Sequence, residues 1–492
     1  MNLNQSELAD VLSEQQTGAQ IPSRKARRRG IPGAAVPKAG LILMLALAMV
    51  VLEGAFRKWV PLFGEGYWKY LMYFSKEIIF AALLLFPKQS QPTPALKVFE
   101  KWLMPGCALL GLGALVSSFH GFNPVGALLT TRAAIVLPVV ALLAVPRLAG
   151  LPVRRVALWL ALFTIVNFAL GVEQNRLPAD HILNRYSETG MNIVEVESGV
   201  RATGTFSYIT GIGSLSSVGI WAGLILMGLA KTQWQRIGAW ATLAAGFGCG
   251  LVTVSRGPVV VGVAIVAGWL FLSRESISVA TRGLIAGIFC VIVASGTGIT
   301  PVFSELGEGL MQRSEGASDT FNERAFGQLN ETVSALKMAP LGNGFGTQQV
   351  GGVYAATGEA GFNGFESPLP RLVMETGALG LIGYLLVCAG AILALQRAKR
   401  QMPSAGGRAA LLATQMLLLP MFYGNLIFDH TASAFVWMIF AVVMAGVGVK
   451  TKQKSETLPG EVTKADFTGQ GKRKREDGGR RPQEAPHSVT RK

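Results

Sequence analysis

The chain has 492 residues, of which 50% are hydrophobic and 15% charged, with a formal net charge of +16. Its apolar residues come in long runs rather than in stripes, which excludes a soluble enzyme, because a bilayer core about 30 Å thick needs roughly 20 apolar residues per helix. The positive charge lies in the two ends and in short connectors, with no basic face interleaved with aromatics, which excludes a nucleic-acid groove.

Residues 1–38 form a polar arm carrying Arg24, Lys25, Arg27, Arg28 and Arg29, a pattern that places the N-terminus in the cytoplasm. The first apolar run begins near Gly40 rather than near Met1, so the first span is expected to remain as an anchor and not to be cleaved as a signal peptide. Spans are predicted at 40–56, 68–86, 103–119, 125–145, 155–172 and 208–230. Six more are predicted at 236–254, 257–272, 282–300, 371–395, 408–428 and 431–449. The fold class expected is therefore an all-α polytopic membrane protein of about 12 transmembrane helices occupying residues 39–449.

Basic residues in the connectors obey the positive-inside rule for that count. Lys88, Lys97, Lys101, Arg147, Arg154, Arg155, Lys231, Arg236, Arg274, Arg282, Arg397, Lys399, Arg400 and Arg408 fall inside. The short outer connectors hold only Arg57, Lys58, Lys69 and Arg256. The expected location is the inner membrane with both termini cytoplasmic, and residues 450–492, rich in Gly, Pro, Lys and Arg, read as a disordered basic cytoplasmic tail.

Two outer, periplasmic loops are far longer than a typical connection: 173–207, and 301–370 between spans 9 and 10. The second is partly helical: Phe326, Leu329, Val333 and Leu336 recur at helical spacing until Pro340. GNGFG at 342–346 lacks the Lys-Ser/Thr of a phosphate-binding loop and reads as a tight turn or a close backbone approach. Cys107, Cys249, Cys290 and Cys388 all lie in apolar runs without metal-ligand spacing, so neither a metal nor a cofactor is expected.

Residues able to carry chemistry gather on the outer side. Arg256 in TVSRGP, Arg201 in RATGTFSY and Arg324 in the loop helix are candidate phosphate ligands, since guanidinium forks match phosphate oxygens. Snorkelling or surface ion pairing is the bland alternative for each. Glu366, Arg371 and Glu375 in ESPLPRLVMETG, and Asp429 and His430 in FDH, are candidate proton-transfer groups. Glu53, Lys76, Glu77 and Arg132 stand inside spans, where a charge must face protein, water or another charge; Glu53 and Arg57 are one helical turn apart.

The second half resembles the O-antigen ligase and O-antigen polymerase superfamily. The strings that carry the resemblance are RATGTFSY, SRG, NERAF, PLGNGFG and METGALGLIGYLL, in that order from 201 to 386, and EGAFRKW near the first span looks like one branch of the family. The resemblance implies a metal-independent, inverting glycosyltransferase that uses glycans carried on polyprenyl diphosphate, with a glycan or glycolipid acceptor and other polysaccharide-assembly proteins as partners. It implies that Arg201, Arg256 and Arg324 stabilise the departing diphosphate. Ligases of the family have a histidine followed by a small polar residue where this chain has Glu366-Ser367, which makes Glu366 or His430 the candidate base and favours a polymerase over a lipid A core ligase. The competing class is a transporter or flippase for lipid-linked glycans, which would distribute charge through the span centres.

Overall fold

The computed structural model describes residues 37–60, 66–185, 195–196, 199–273, 318–349, 365, 367–424 and 426–456; side chains at 69–70, 195–196, 199, 256, 318–326 and 448–456 are outside that description. The arm before residue 37, the expected span at 282–300 and the tail from 457 lie outside the described residues. The chain divides into one unit ending at Lys450 and another from Thr451 to Lys492.

The described residues are helical apart from one antiparallel two-residue hairpin, Glu195–Val196 with Gly199–Val200. In chain order the helices are α1 (Lys38–Trp59), α2 (Gly66–Ala82), α3 (Pro94–Ser118), α4 (Pro124–Arg147) and α5 (Val153–Arg176). Then follow α6 (Ile209–Leu229), α7 (Gln233–Val252), α8 (Arg256–Leu272), α9 (Ser318–Met338), α10 (Pro368–Gln401), α11 (Ala405–Tyr423) and α12 (His430–Glu456). Eight of them, α1, α3, α4, α5, α6, α10, α11 and α12, are long and apolar enough to cross a bilayer, and the protein is a multi-pass helical membrane protein. The helices α2, α7 and α8 fall where the second, seventh and eighth spans are expected. Of these, α2 has only 17 residues and carries Lys69, Lys76 and Glu77, and α7 is diluted by glycine.

Lipid supplies no hydrophobic drive between helices, so close packing through small residues has to hold them. A Cβ on Gly113 of α3 would lie 2.3 Å from the Thr376 carbonyl oxygen of α10, and one on Gly383 of α10 would lie 2.5 Å from that of Gly106. The helices α6 and α7 meet in the same way at Gly219 and Gly246. At the centre stands α12, with 89% of its span buried. Its Trp437 and Phe440 pack on Phe99 of α3.

Hydrogen bonds between helix ends assign the chain to two ends of this bundle. At one, the Gln89 amide donates to the Pro146 carbonyl and Arg147 to that of Phe86, tying the α2–α3 connection to the end of α4, and Trp269 of α8 donates to the Ala409 carbonyl near the start of α11. The other end collects the C-termini of α1, α3, α5, α7 and α11 and the N-termini of α4, α6, α10 and α12. There α9 also packs, its Gln328 donating to the Tyr423 carbonyl.

The α9 helix ends before Pro340 as its sequence requires, yet it meets the bundle through Gln328, Thr332 and Ala335. Its apolar residues Leu329 and Val333 are each 51% exposed. Helical spacing identifies the helix and its apolar stripe but not the partner of that stripe, and Leu329 and Val333 are not among the residues by which α9 meets the bundle.

Candidate functional site

Two strings 150 residues apart, EGAFRKW and RATGTFS, dock on each other. Gly54 makes this possible: a Cβ there would lie 2.2 Å from the Ser207 amide nitrogen and 2.5 Å from the Thr205 carbonyl oxygen. With the backbones in contact, Lys58 Nζ donates to Thr203 Oγ1 at 3.0 Å and to the Gly204 carbonyl at 2.6 Å. Arg57 donates to Ser207 Oγ at 3.2 Å, and Thr205 Oγ1 to the Val51 carbonyl at 2.6 Å. From the other side, Gln174 Oε1 accepts from the amides of Thr203 and Gly204, and Asn167 Oδ1 from that of Thr205. Arg201 therefore leaves a segment whose backbone is held at almost every residue. Gly54→Ala is expected to cost about 1–3 kcal/mol, because backbone atoms cannot yield as a side-chain tip would; a lowered thermal midpoint of the purified protein checks this.

The Arg256 turn is tied to the same segment. The Val252 carbonyl accepts from the Ala202 amide at 3.1 Å and from Asn175 Nδ2 at 3.2 Å. Two residues before Arg256, Val254 is fully buried and has φ +49, alone among the described non-glycine residues in that region. A β-branched residue held there costs on the order of 1–3 kcal/mol, and such strain clusters at functional turns. The backbones that carry Arg201 and Arg256 are thus adjacent, although the Arg256 side chain lies outside the described residues.

Beside this junction is a buried charged cluster. Glu53 pairs with Arg57 at 3.0 Å and also with Lys76, so one carboxylate serves two cations. Tyr73, Lys76 and Glu77, spaced three and four apart, share one face of α2. Arg132 opens a π-turn at Arg132–Val136; it donates to the Tyr73 hydroxyl at 3.0 Å and stands 3.2 Å from Glu77 Oε1. Arg57, Lys76 and Arg132 all lie within 5.4 Å of the centre of the Tyr73 ring. His430 Nδ1 is 3.2 Å from the Tyr73 hydroxyl. Since that hydroxyl already accepts from Arg132, its single proton is assigned toward Nδ1, which leaves the ring proton of His430 on Nε2.

Asp429 does not orient the His430 ring. Its Oδ1 accepts from the amides of Thr431 and Ala432 at 2.8 and 3.2 Å, capping α12, and Ser214 donates to its Oδ2. Burial raises its proton affinity, and these hydrogen bonds oppose the rise.

Arg371 and Glu375 fasten the loop that follows α9. Glu375, fully buried, accepts from Thr130 Oγ1 at 2.7 Å and from the Gln348 amide at 2.9 Å. Arg371 donates twice to the Gln348 carbonyl and stacks on Phe428. GNGFG makes a close backbone approach: Gly344 donates to Ser117 Oγ, Phe345 exchanges backbone hydrogen bonds with Gly121 and Asn123, and Asn343 donates to the Met374 carbonyl beside a break in α10 at Gly377. Arg371 and Glu375 thus both hold the backbone of Gln348, and Glu375 also joins that loop to Thr130 of α4.

The structure thus brings together Arg201 with the Arg256 turn, His430 with Tyr73 and Arg132, and Arg371 with Glu375. The side chains of Arg256, Arg324 and Glu366 lie outside the described residues. Lys58, expected in an outer connector, is buried within α1, and Tyr73 was not singled out at all; the signal available for Tyr73 was its helical spacing from Lys76 and Glu77 in an apolar run. Among the described residues, no group of three or more His, Cys, Asp or Glu side chains could hold a metal. No family model matches the chain, and a search of curated proteins finds no significant match.

Proposed function

We propose that the protein is an integral-membrane glycosyltransferase, with twelve spans, cytoplasmic termini and a periplasmic working face, that joins polyprenyl-diphosphate-linked glycan units to a sugar acceptor in surface polysaccharide assembly. The observation that carries this reading is the hydrogen bond from Ala202 to Val252, which sets the Arg201 and Arg256 segments side by side at the end of the bundle that also holds α9 and its Arg324. The twelve-span count is supported by α8 leading away from that end while α9 lies at it, as a ninth span between them requires. Orientation is supported by Arg147 and Arg408 at the opposite end, where the positive-inside rule puts the cytoplasm.

In the reaction proposed, an acceptor hydroxyl oxygen bonds to the anomeric carbon as the bond from that carbon to the lipid diphosphate breaks. The electron pair leaves with the diphosphate, and the hydroxyl proton passes to Glu366 or His430. Arg201, Arg256 and Arg324 neutralise the departing charge, which is greatest in the transition state. His430 as base would have to release Tyr73 first, so comparing Glu366→Gln with His430→Ala assigns the role.

The charges buried in α1, α2 and α4 favour a flippase as the second reading. Reconstitution of the purified protein in vesicles with a lipid-linked oligosaccharide separates the two. A product ladder or a single transferred unit is expected; movement across the bilayer without a new glycosidic bond overturns the enzyme.

A further inference from the structure

The cluster around Tyr73 holds more positive charge than its own carboxylates balance. Arg57, Lys76 and Arg132 are buried and share two carboxylates, Glu53 and Glu77. On the adjoining face of α1, buried Lys58 is bonded to two neutral oxygens. Around Tyr73 itself, three cations thus face two carboxylates among the described residues. A buried cation without a counter-charge is costly, and in a membrane span the cost is borne only where an anion, water or function compensates it.

The donors point the same way. Arg57 Nε and both Nε and Nη1 of Arg132 are buried without a hydrogen-bond acceptor, although Nη1 lies close to Glu77. His430 adds an Nε2 donor by the tautomer assigned above. Tyr73 is partly exposed and the Glu77 side chain is 19% exposed, so the cluster opens on that side. Several N–H groups on two guanidinium planes, with an excess of one positive charge, match the tetrahedral oxygens of a phosphate group better than those of a planar carboxylate.

We propose that Arg57, Lys76 and Arg132, carried on α1, α2 and α4, form a second phosphate-binding site whose cations are not Arg201, Arg256 or Arg324. Its ligand is a phosphate group, whether free, in a phospholipid headgroup or in a lipid-linked diphosphate. The site is defined by binding alone, so it stands or falls independently of the transfer reaction.

The test is calorimetric titration of detergent-purified protein with inorganic phosphate and diphosphate, in an Arg256→Ala background that removes one of the arginines assigned to the other site. Saturable binding is expected to persist, to weaken at least about tenfold in Arg132→Gln, and to strengthen in Glu77→Gln, which removes a competing carboxylate. General damage can only weaken binding, so the Glu77→Gln gain decides the matter even where Arg132→Gln does not fold. Absence of saturable binding in the Arg256→Ala protein, or affinity unchanged in Glu77→Gln, overturns the proposal. Repeating the titration in nanodiscs of phosphatidylcholine with and without phosphatidylglycerol identifies the source: competition by the anionic lipid names a headgroup, and competition by diphosphate alone names the lipid-linked donor.

Discussion

In the glycosyl transfer proposed above, Arg256→Ala is expected to lower the rate by about 100- to 1,000-fold while the protein still inserts and purifies normally, the loss seen when one donor to a developing oxyanion is removed. The turn before Arg256 is costly to build. Val254 is held at φ +49 with its side chain buried, and the Val252 carbonyl is engaged by the Ala202 amide beside Arg201 and by Asn175 of α5. A turn kept under strain and anchored on both sides fixes the backbone from which Arg256 extends, and preorganised charge is what the proposed reaction needs to stabilise its leaving group. Because the diphosphate gains charge only as its bond to the sugar breaks, kcat and kcat/KM should fall together. Retention of transfer within a few-fold of the parent would remove Arg256 from the reaction.

Glu53→Gln is the second large effect, and it is on stability. The substitution keeps the shape of the side chain and removes the charge that Arg57 and Lys76 share at full burial. Breaking a buried pair by deleting one partner costs about 3–5 kcal/mol, because the other charge is left without compensation. A marked drop in the thermal midpoint of the detergent-purified protein is expected. Adding Lys76→Met in the same chain should recover part of it, since one of the two stranded cations is then gone. Equal midpoints for parent and Glu53→Gln would show that water already screens the cluster.

Eight of the expected spans were legible because a bilayer imposes one length and one chemistry on each helix, and α1, α4 and α10 begin or end within a few residues of the expected positions. The pairing of Glu53 with Arg57 was legible for the same kind of reason, as it depends only on one helical turn. What could not be read was long-range partnership. Nothing local to EGAFRKW says that Lys58 will bond to Thr203, or that Tyr73 will stand between Arg132 and His430, because such contacts follow from which helices become neighbours. Asp429 shows the converse: its place beside His430 suggested a catalytic partner, whereas the stronger local demand was for a cap on α12. The outward face of α9 was illegible because periodicity records that a stripe exists and not what covers it.

The burial of α12 also bears on how the protein is made. The helix with 89% of its span enclosed is the last of the described spans to leave the ribosome. Until it arrives, Phe99 of α3 faces a gap that Trp437 and Phe440 will fill, and Tyr73 lacks His430. The earlier spans therefore reach the bilayer with the faces that α12 will cover still without their partner. A chain that stops short of residue 430 would present that unfilled centre to lipid and to the proteases that survey the membrane.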